Sequence, residues 1–124
     1  MRIRILFIGA ITAFALAAAP RYSITNFHNY PNPFKASDTQ TTFIFGMTSP
    51  TVYQKAALYI YSPQGRLLYT ANPVTNTSVN PYRFDWRGVD DKGAYVTPGL
   101  YHAKVEVRTT EGDIVTASTK VVVK

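Results

Sequence analysis

The sequence predicts a single all-β domain, a sandwich of antiparallel strands, and three observations carry that expectation. Beyond the first twenty or so positions, apolar residues recur at every second place, the period of a strand with one buried face. Clusters of Gly, Pro, Asn and Asp break the alternation about every 8 to 12 residues, as in sandwiches and barrels. The 124 residues leave room for one core, and 46% hydrophobic with 14% aromatic residues can fill it. No stretch carries the helical period.

The elements follow in order. Residues 24–28 form a first strand, and the chain then meets Pro31 and Pro33. Both prolines hold φ near about −65° and disfavour helix at Tyr30 and Asn32. The chain must leave as an extended corner, with Phe34 free to plug the open end of the sandwich. Residues 41–47 turn Phe43, Phe45 and Met47 to one face. Residues 56–61 are apolar on both faces, which predicts a central strand covered on both sides. Ser62-Pro63-Gln64-Gly65 is a turn returning residues 66–70, and residues 72–81, rich in Asn, Thr, Pro and Ser, read as a loop.

Residues 82–86 bury Tyr82, Phe84 and Trp86. Trp86 is expected in the core beside its two same-face aromatics and not as a ligand platform. Asp90-Asp91-Lys92-Gly93 is a tight turn, and Pro98-Gly99 opens the next strand. There Tyr101, Ala103, Val105 and Val107 alternate with His102, Lys104, Glu106 and Arg108. A turn at 110–113 leads to the last strand, which places Val115, Ala117, Val121 and Val123 inward and ends one residue later. About seven strands in roughly 100 residues is the pattern of an immunoglobulin-like antiparallel β-sandwich. A chain ending inside a strand is expected to leave that strand easy to peel away and re-pair with a partner.

The N-terminus has the order of a secretory signal: basic Met1-Arg2-Ile3-Arg4, an apolar run from Ile5 to Ala19, and small residues at Ala15-Leu16-Ala17. The run of about 15 residues is short of the roughly 20 that span a bilayer. The expected organisation is a signal peptide over 1–17, a short linker over 18–23 and the domain over 24–124. The protein is then exported to the periplasm, the outer-membrane surface or the extracellular space, with no membrane segment after signal removal.

Composition excludes several chemistries. With no cysteine there is no disulfide framework, thiolate metal site or cysteine nucleophile. There is no Gly-x-Ser-x-Gly elbow and no glycine-rich phosphate loop. His28 and His102 each stand alone on a strand, and Asp85 and Glu106 have outward parity, toward solvent and not a cleft. Asp90 and Asp91 lack the spaced carboxylates of an EF-hand loop. A non-enzyme without cofactor or metal is expected. Basic residues exceed acidic ones by 13 to 7, or by 11 to 7 once Arg2 and Arg4 leave with the signal. They stand singly, at Lys35, Lys55, Arg66, Arg83 and Lys104, without the run that would trace a phosphate backbone, so nucleic acid is not an expected partner.

The punctuation resembles a known family. Asn29-Tyr30-Pro31-Asn32-Pro33-Phe34, Thr41-Thr42-Phe43-Ile44-Phe45, Leu58-Tyr59-Ile60-Tyr61 with Gly65-Arg66-Leu67, Trp86-Arg87-Gly88-Val89-Asp90-Asp91-Lys92-Gly93 and Pro98-Gly99-Leu100-Tyr101 stand in the order of FlgD-type immunoglobulin-like domains. The resemblance covers residues 24–124 and extends to the C-terminal sorting domains of the type IX secretion system, above all the C-terminal region of its cell-surface sortase. It implies a secretion or surface-assembly module that works through protein partners. Alternatively it implies a structural block of an envelope or flagellar-hook-type assembly, or a general module binding protein or glycan through Tyr59, Tyr61 or the loop 72–81. Lys120 and Lys124, in a basic and valine-rich ending similar to those of sorting domains, are the implied sorting residues.

Overall fold

The computed structural model describes residues 22–48, 53–71, 74–75 and 82–124; the expected signal peptide and most of the linker lie outside the described residues. The strands are β1 (Ile24–Tyr30), β2 (Thr41–Met47), β3 (Tyr53–Tyr61), β4 (Leu67–Thr70), the two-residue β5 (Val74–Thr75), β6 (Tyr82–Trp86), β7 (Gly99–Thr109) and β8 (Ile114–Val123). All named pairings are antiparallel. One sheet has the order β1-β2-β6; the other runs β4-β3-β7-β8, with β5 paired to β3 farther along. Among the described residues there is no helix. This is the expected all-β sandwich, with its layers closed on each other by apolar alternation.

That alternation decides which face turns inward. In β2, β6 and β7 every second residue is buried. Phe43, Phe45, Leu58, Ile60, Trp86, Val105, Val107 and Val121 are wholly buried between the sheets, each contributing about 1.5–3 kcal/mol of hydrophobic stabilisation. The aromatic layer is continuous: Phe45 packs on Tyr82 at 5.3 Å and on Phe84 at 6.4 Å, and Phe27 closes on Phe43 at 5.8 Å.

The structure corrects the sequence reading of several strands. Strand β3 is central, between β4 and β7, but it is not covered on both sides. Ala56, Leu58 and Ile60 are buried, whereas Ala57, Tyr59 and Tyr61 are only half-buried on the outer face. Tyrosines tolerate that position because the ring can be covered while the hydroxyl stays wet. Within the expected loop 72–81, Val74 and Thr75 form β5; the rest of that loop lies outside the described residues. The first strand also runs on to Tyr30, through an irregularity between Thr25 and His28 where Asn26 takes φ +54. Asn belongs to the few residues that accept this conformation, and the carbonyl of Asn26 lies 2.8 Å from His28 Nδ1.

Burial raises the pKa of the Tyr82 phenol above its ordinary 10.0, because the interior disfavours the phenolate. The folded state therefore holds its proton more tightly than the unfolded chain, so stability is intact below pH 10 and falls as the pH rises past it. Tyr82→Phe is expected to flatten the alkaline limb of a denaturation curve measured between pH 8 and 11. An unchanged limb would assign the loss to other groups.

Candidate functional site

The motif residues gather at one end of the sandwich around Trp86. Its indole is fully buried and donates Nε1–H to the carbonyl of Val89 at 2.8 Å. Phe34 and Tyr101 meet it edge-on at 5.7 and 6.1 Å, and Tyr69 lies tilted at 6.5 Å. Phe34 thus plugs the open end as expected, and Trp86 is core. The Tyr101 hydroxyl donates to the carbonyl of Thr97, which ties the 95–98 loop down onto the start of β7. Gly88, at φ +78, lies against Ala36: a Cβ built there would stand 2.5 Å from the Ala36 Cβ. The segment following Phe34 crosses this glycine with no room for a side chain.

The proline corner is built from polar contacts. Both the Tyr30–Pro31 and Asn32–Pro33 peptide bonds are cis. Thr41, wholly buried at the start of β2, donates to the Pro31 carbonyl at 2.8 Å and accepts from Asn29 Nδ2 at 2.9 Å. Asn32 joins this group to β8, donating to Asn29 Oδ1 at 3.4 Å and to the Lys120 carbonyl at 3.2 Å and accepting from the Val122 N–H at 2.9 Å. Phe34 continues the contact in a parallel bridge: its N–H donates to the Val122 carbonyl, and the Lys124 N–H donates to the Phe34 carbonyl, both at 3.0 Å.

This overturns the expectation that the last strand is easy to peel. On its inner side β8 pairs with β7 as far as Gly99 opposite Val123, and on its outer side residues 120–124 are held by Asn32 and Phe34. Alternation along β8 shows which side chains point in; a contact across 88 to 90 positions has no signature in it.

The other motif residues are turn builders. Asp90 Oδ1 accepts from the N–H groups of Lys92 and Ala94 at 2.9 and 3.0 Å. Asp91 docks on the outer edge of β4: its N–H donates to the Leu68 carbonyl and its Oδ1 accepts from the Thr70 N–H. A sheet edge that would otherwise be open to pairing is thereby closed. Gly65 and Gly93 occupy turns with open space around them. Arg66, Asp90 and Tyr101 share an open cleft of about 480 Å³ with Ser62, Leu68 and Tyr95. Pro33, Lys120 and Lys124 are exposed at the corner and along β8. The sequence reading did not foresee the contacts of Thr41, Ala36 or Asp91, because their partners lie on other segments that only the fold brings together.

No protein-family model matches the sequence, and no curated protein matches it. Solved structures do. The chain is similar to dimeric latent PorU from Porphyromonas gingivalis, with 22% identity and a TM-score of 0.68 over 86% of this chain and 10% of that one. The immunoglobulin-like sandwich fold is therefore shared. FlgD of P. aeruginosa superposes on the domain with 17% identity and a TM-score of 0.56, over 86% of this chain and 77% of its own length. FlgD from Xanthomonas campestris, described as a hook-capping protein essential for flagellar assembly, gives 16% and 0.55, over 90% and 72%. The shared fold thus spans most of the two FlgD structures but about a tenth of PorU.

Proposed function

We propose that the chain is a non-catalytic, exported immunoglobulin-like module that serves secretion or surface assembly through a protein machinery of the type IX kind, with the end of β8 as the part that is read. The observation that carries this reading is the joining of the proline corner to the last strand. Asn32 and Phe34 hold residues 120–124 in one geometry, so the exposed Lys120 and Lys124 sit on a rigid edge and not on a frayed tail. A fixed array of charge and backbone is what a docking partner can recognise without ordering it first. The likeness to PorU supports the same reading.

A second reading is a structural block in an envelope assembly, favoured by the share of the two FlgD structures that the fold covers.

Fusions of a reporter to residues 24–124, expressed in a host with a type IX system, separate the two. Deleting the last five residues removes Val121 and Val123, both buried, so the informative variant is Lys120→Glu with Lys124→Glu, which leaves the core alone. The intact fusion is expected at the cell surface and the charge-reversed one inside, with both melting cooperatively. Equal display of the two would remove the lysines from the signal. Retention of the intact fusion would reject sorting and leave the structural block.

A further inference from the structure

We infer that the outer face of the β4-β3-β7-β8 sheet is a docking surface for an acidic polysaccharide. Basic residues that stand singly in the sequence are brought together there. The outward side chains of β3 and β7 are cross-strand neighbours: Lys55 opposite Arg108, Ala57 opposite Glu106, Tyr59 opposite Lys104 and Tyr61 opposite His102. Lys120 of β8 lies opposite His102 on the far side. Among the described residues of these three strands, four cations thus share one face with a single carboxylate, Glu106. On the other sheet, the exposed positions of β6 carry Arg83 and Asp85, one of each sign.

Two features mark the cations as more than solvated surface. Lys55 and Arg108 face each other directly across the ladder, an arrangement of like charges that opposes folding. Among the described residues no ion pair relieves either of them or Lys104 or Lys120; the pair recorded is Lys35 with Asp38, away from this face. Lys104 is held in place, its Nζ 5.6 Å from the Tyr59 ring centroid and 5.8 Å from that of Tyr61. Beside it the small side chain of Ala57 leaves a shallow depression of about 250 Å³, bordered by Lys55, Tyr59, Glu106 and Arg108.

The geometry suits an extended polyanion. At a strand rise of ~3.3 Å per residue, the charges fall at the Lys55–Arg108 pair, at Lys104 ~13 Å on, and at Lys120 ~20 Å on. An open sheet face with charge at intervals matches a chain bearing repeated carboxylates or sulfates. The hydroxyls of Tyr59, Tyr61 and the exposed Thr116 and Ser118 supply hydrogen bonds for sugar hydroxyls. A single-stranded nucleic acid fits less well, since the Lys104 ammonium already lies over both rings on which bases would stack. The choice of a glycan rests on the export reading above; the polyanion surface itself does not.

The test is affinity electrophoresis of the full chain through gels containing alginate, with dextran as the neutral control and an oligo-dT competitor. Alginate is expected to retard the protein and dextran is not. Lys55→Gln with Arg108→Gln, and separately Lys104→Gln, should each weaken the apparent affinity at least tenfold, while Arg83→Gln on the opposite sheet should not. Arg108→Glu separates binding from folding: it should abolish retardation while the melting temperature holds or rises, because the like-charge pair is gone. Absence of retardation by alginate overturns the proposal, as does equal retardation of the wild type and the Lys55/Arg108 variant. Preference for oligo-dT over alginate overturns the glycan assignment. None of these outcomes bears on the reporter-fusion experiment, so the two can fail separately.

Discussion

Trp86→Ala is expected to cost the domain about 3–5 kcal/mol. The indole is wholly buried, touches Phe34, Tyr69 and Tyr101, and spends its N–H on the Val89 carbonyl. Truncation therefore opens a cavity under the corner and leaves that carbonyl without its donor. Against a total stability on the order of 5–15 kcal/mol for a domain of this size, the variant should melt on the order of 15–30 °C lower. Differential scanning calorimetry decides it. A melting temperature within a few degrees of the parent would mean that the residue does not bear on the core. Trp86→Phe should recover part of the loss, because a smaller ring still fills most of the space. Phe34→Ala combined with Trp86→Ala should cost less than the two singly, since both variants empty the same space.

Gly88→Ala should cost about 2–4 kcal/mol, from two causes that can be measured apart. A left-handed residue with a Cβ carries roughly 1–2 kcal/mol of strain, and here φ is +78. The added methyl would also stand 2.5 Å from the Ala36 Cβ, with Phe34 next at 3.4 Å. Ala36 has no flexible end to move, so the backbone of one segment must shift. Gly93→Ala has φ +85 and nothing within 4 Å, so it should show the conformational cost alone. The difference between the two variants in urea denaturation isolates the steric part. Adding Ala36→Gly to Gly88→Ala should restore most of that difference, and no recovery would mean that the close approach is not the cause.

The inward faces were legible because strand alternation is local. Phe43, Phe45, Trp86, Tyr101, Val105, Val107, Val121 and Val123 needed only the parity of their neighbours, and all are buried. Turn chemistry was legible for the same reason: Ser62 to Gly65 closes with the Gly65 N–H on the Ser62 carbonyl at 2.9 Å, a bond spanning three residues. Parity could not tell whether the second face of β3 is covered, because apolar bulk at Ala57, Tyr59 and Tyr61 serves equally under another layer or under the stem of a neighbouring lysine. Of the candidate site, the residues were legible and their contacts were not. Asn32 read as part of a corner, and only the fold shows it bonded to Lys120 and Val122.

By itself, then, the sequence determined the main strands apart from some of their ends, their inward faces and the turns between them, all of which depend on interactions within a few residues of chain. The tertiary structure alone decided that the proline corner locks the last strand, that Asp91 closes the edge of β4, that Gly88 must stay bare beside Ala36, and that Lys55, Lys104, Arg108 and Lys120 form one charged face. Each of these joins segments far apart in the chain, so which groups meet is set by how the two sheets pair and stack. That arrangement is fixed by the summed burial of the whole core, and no local pattern encodes it.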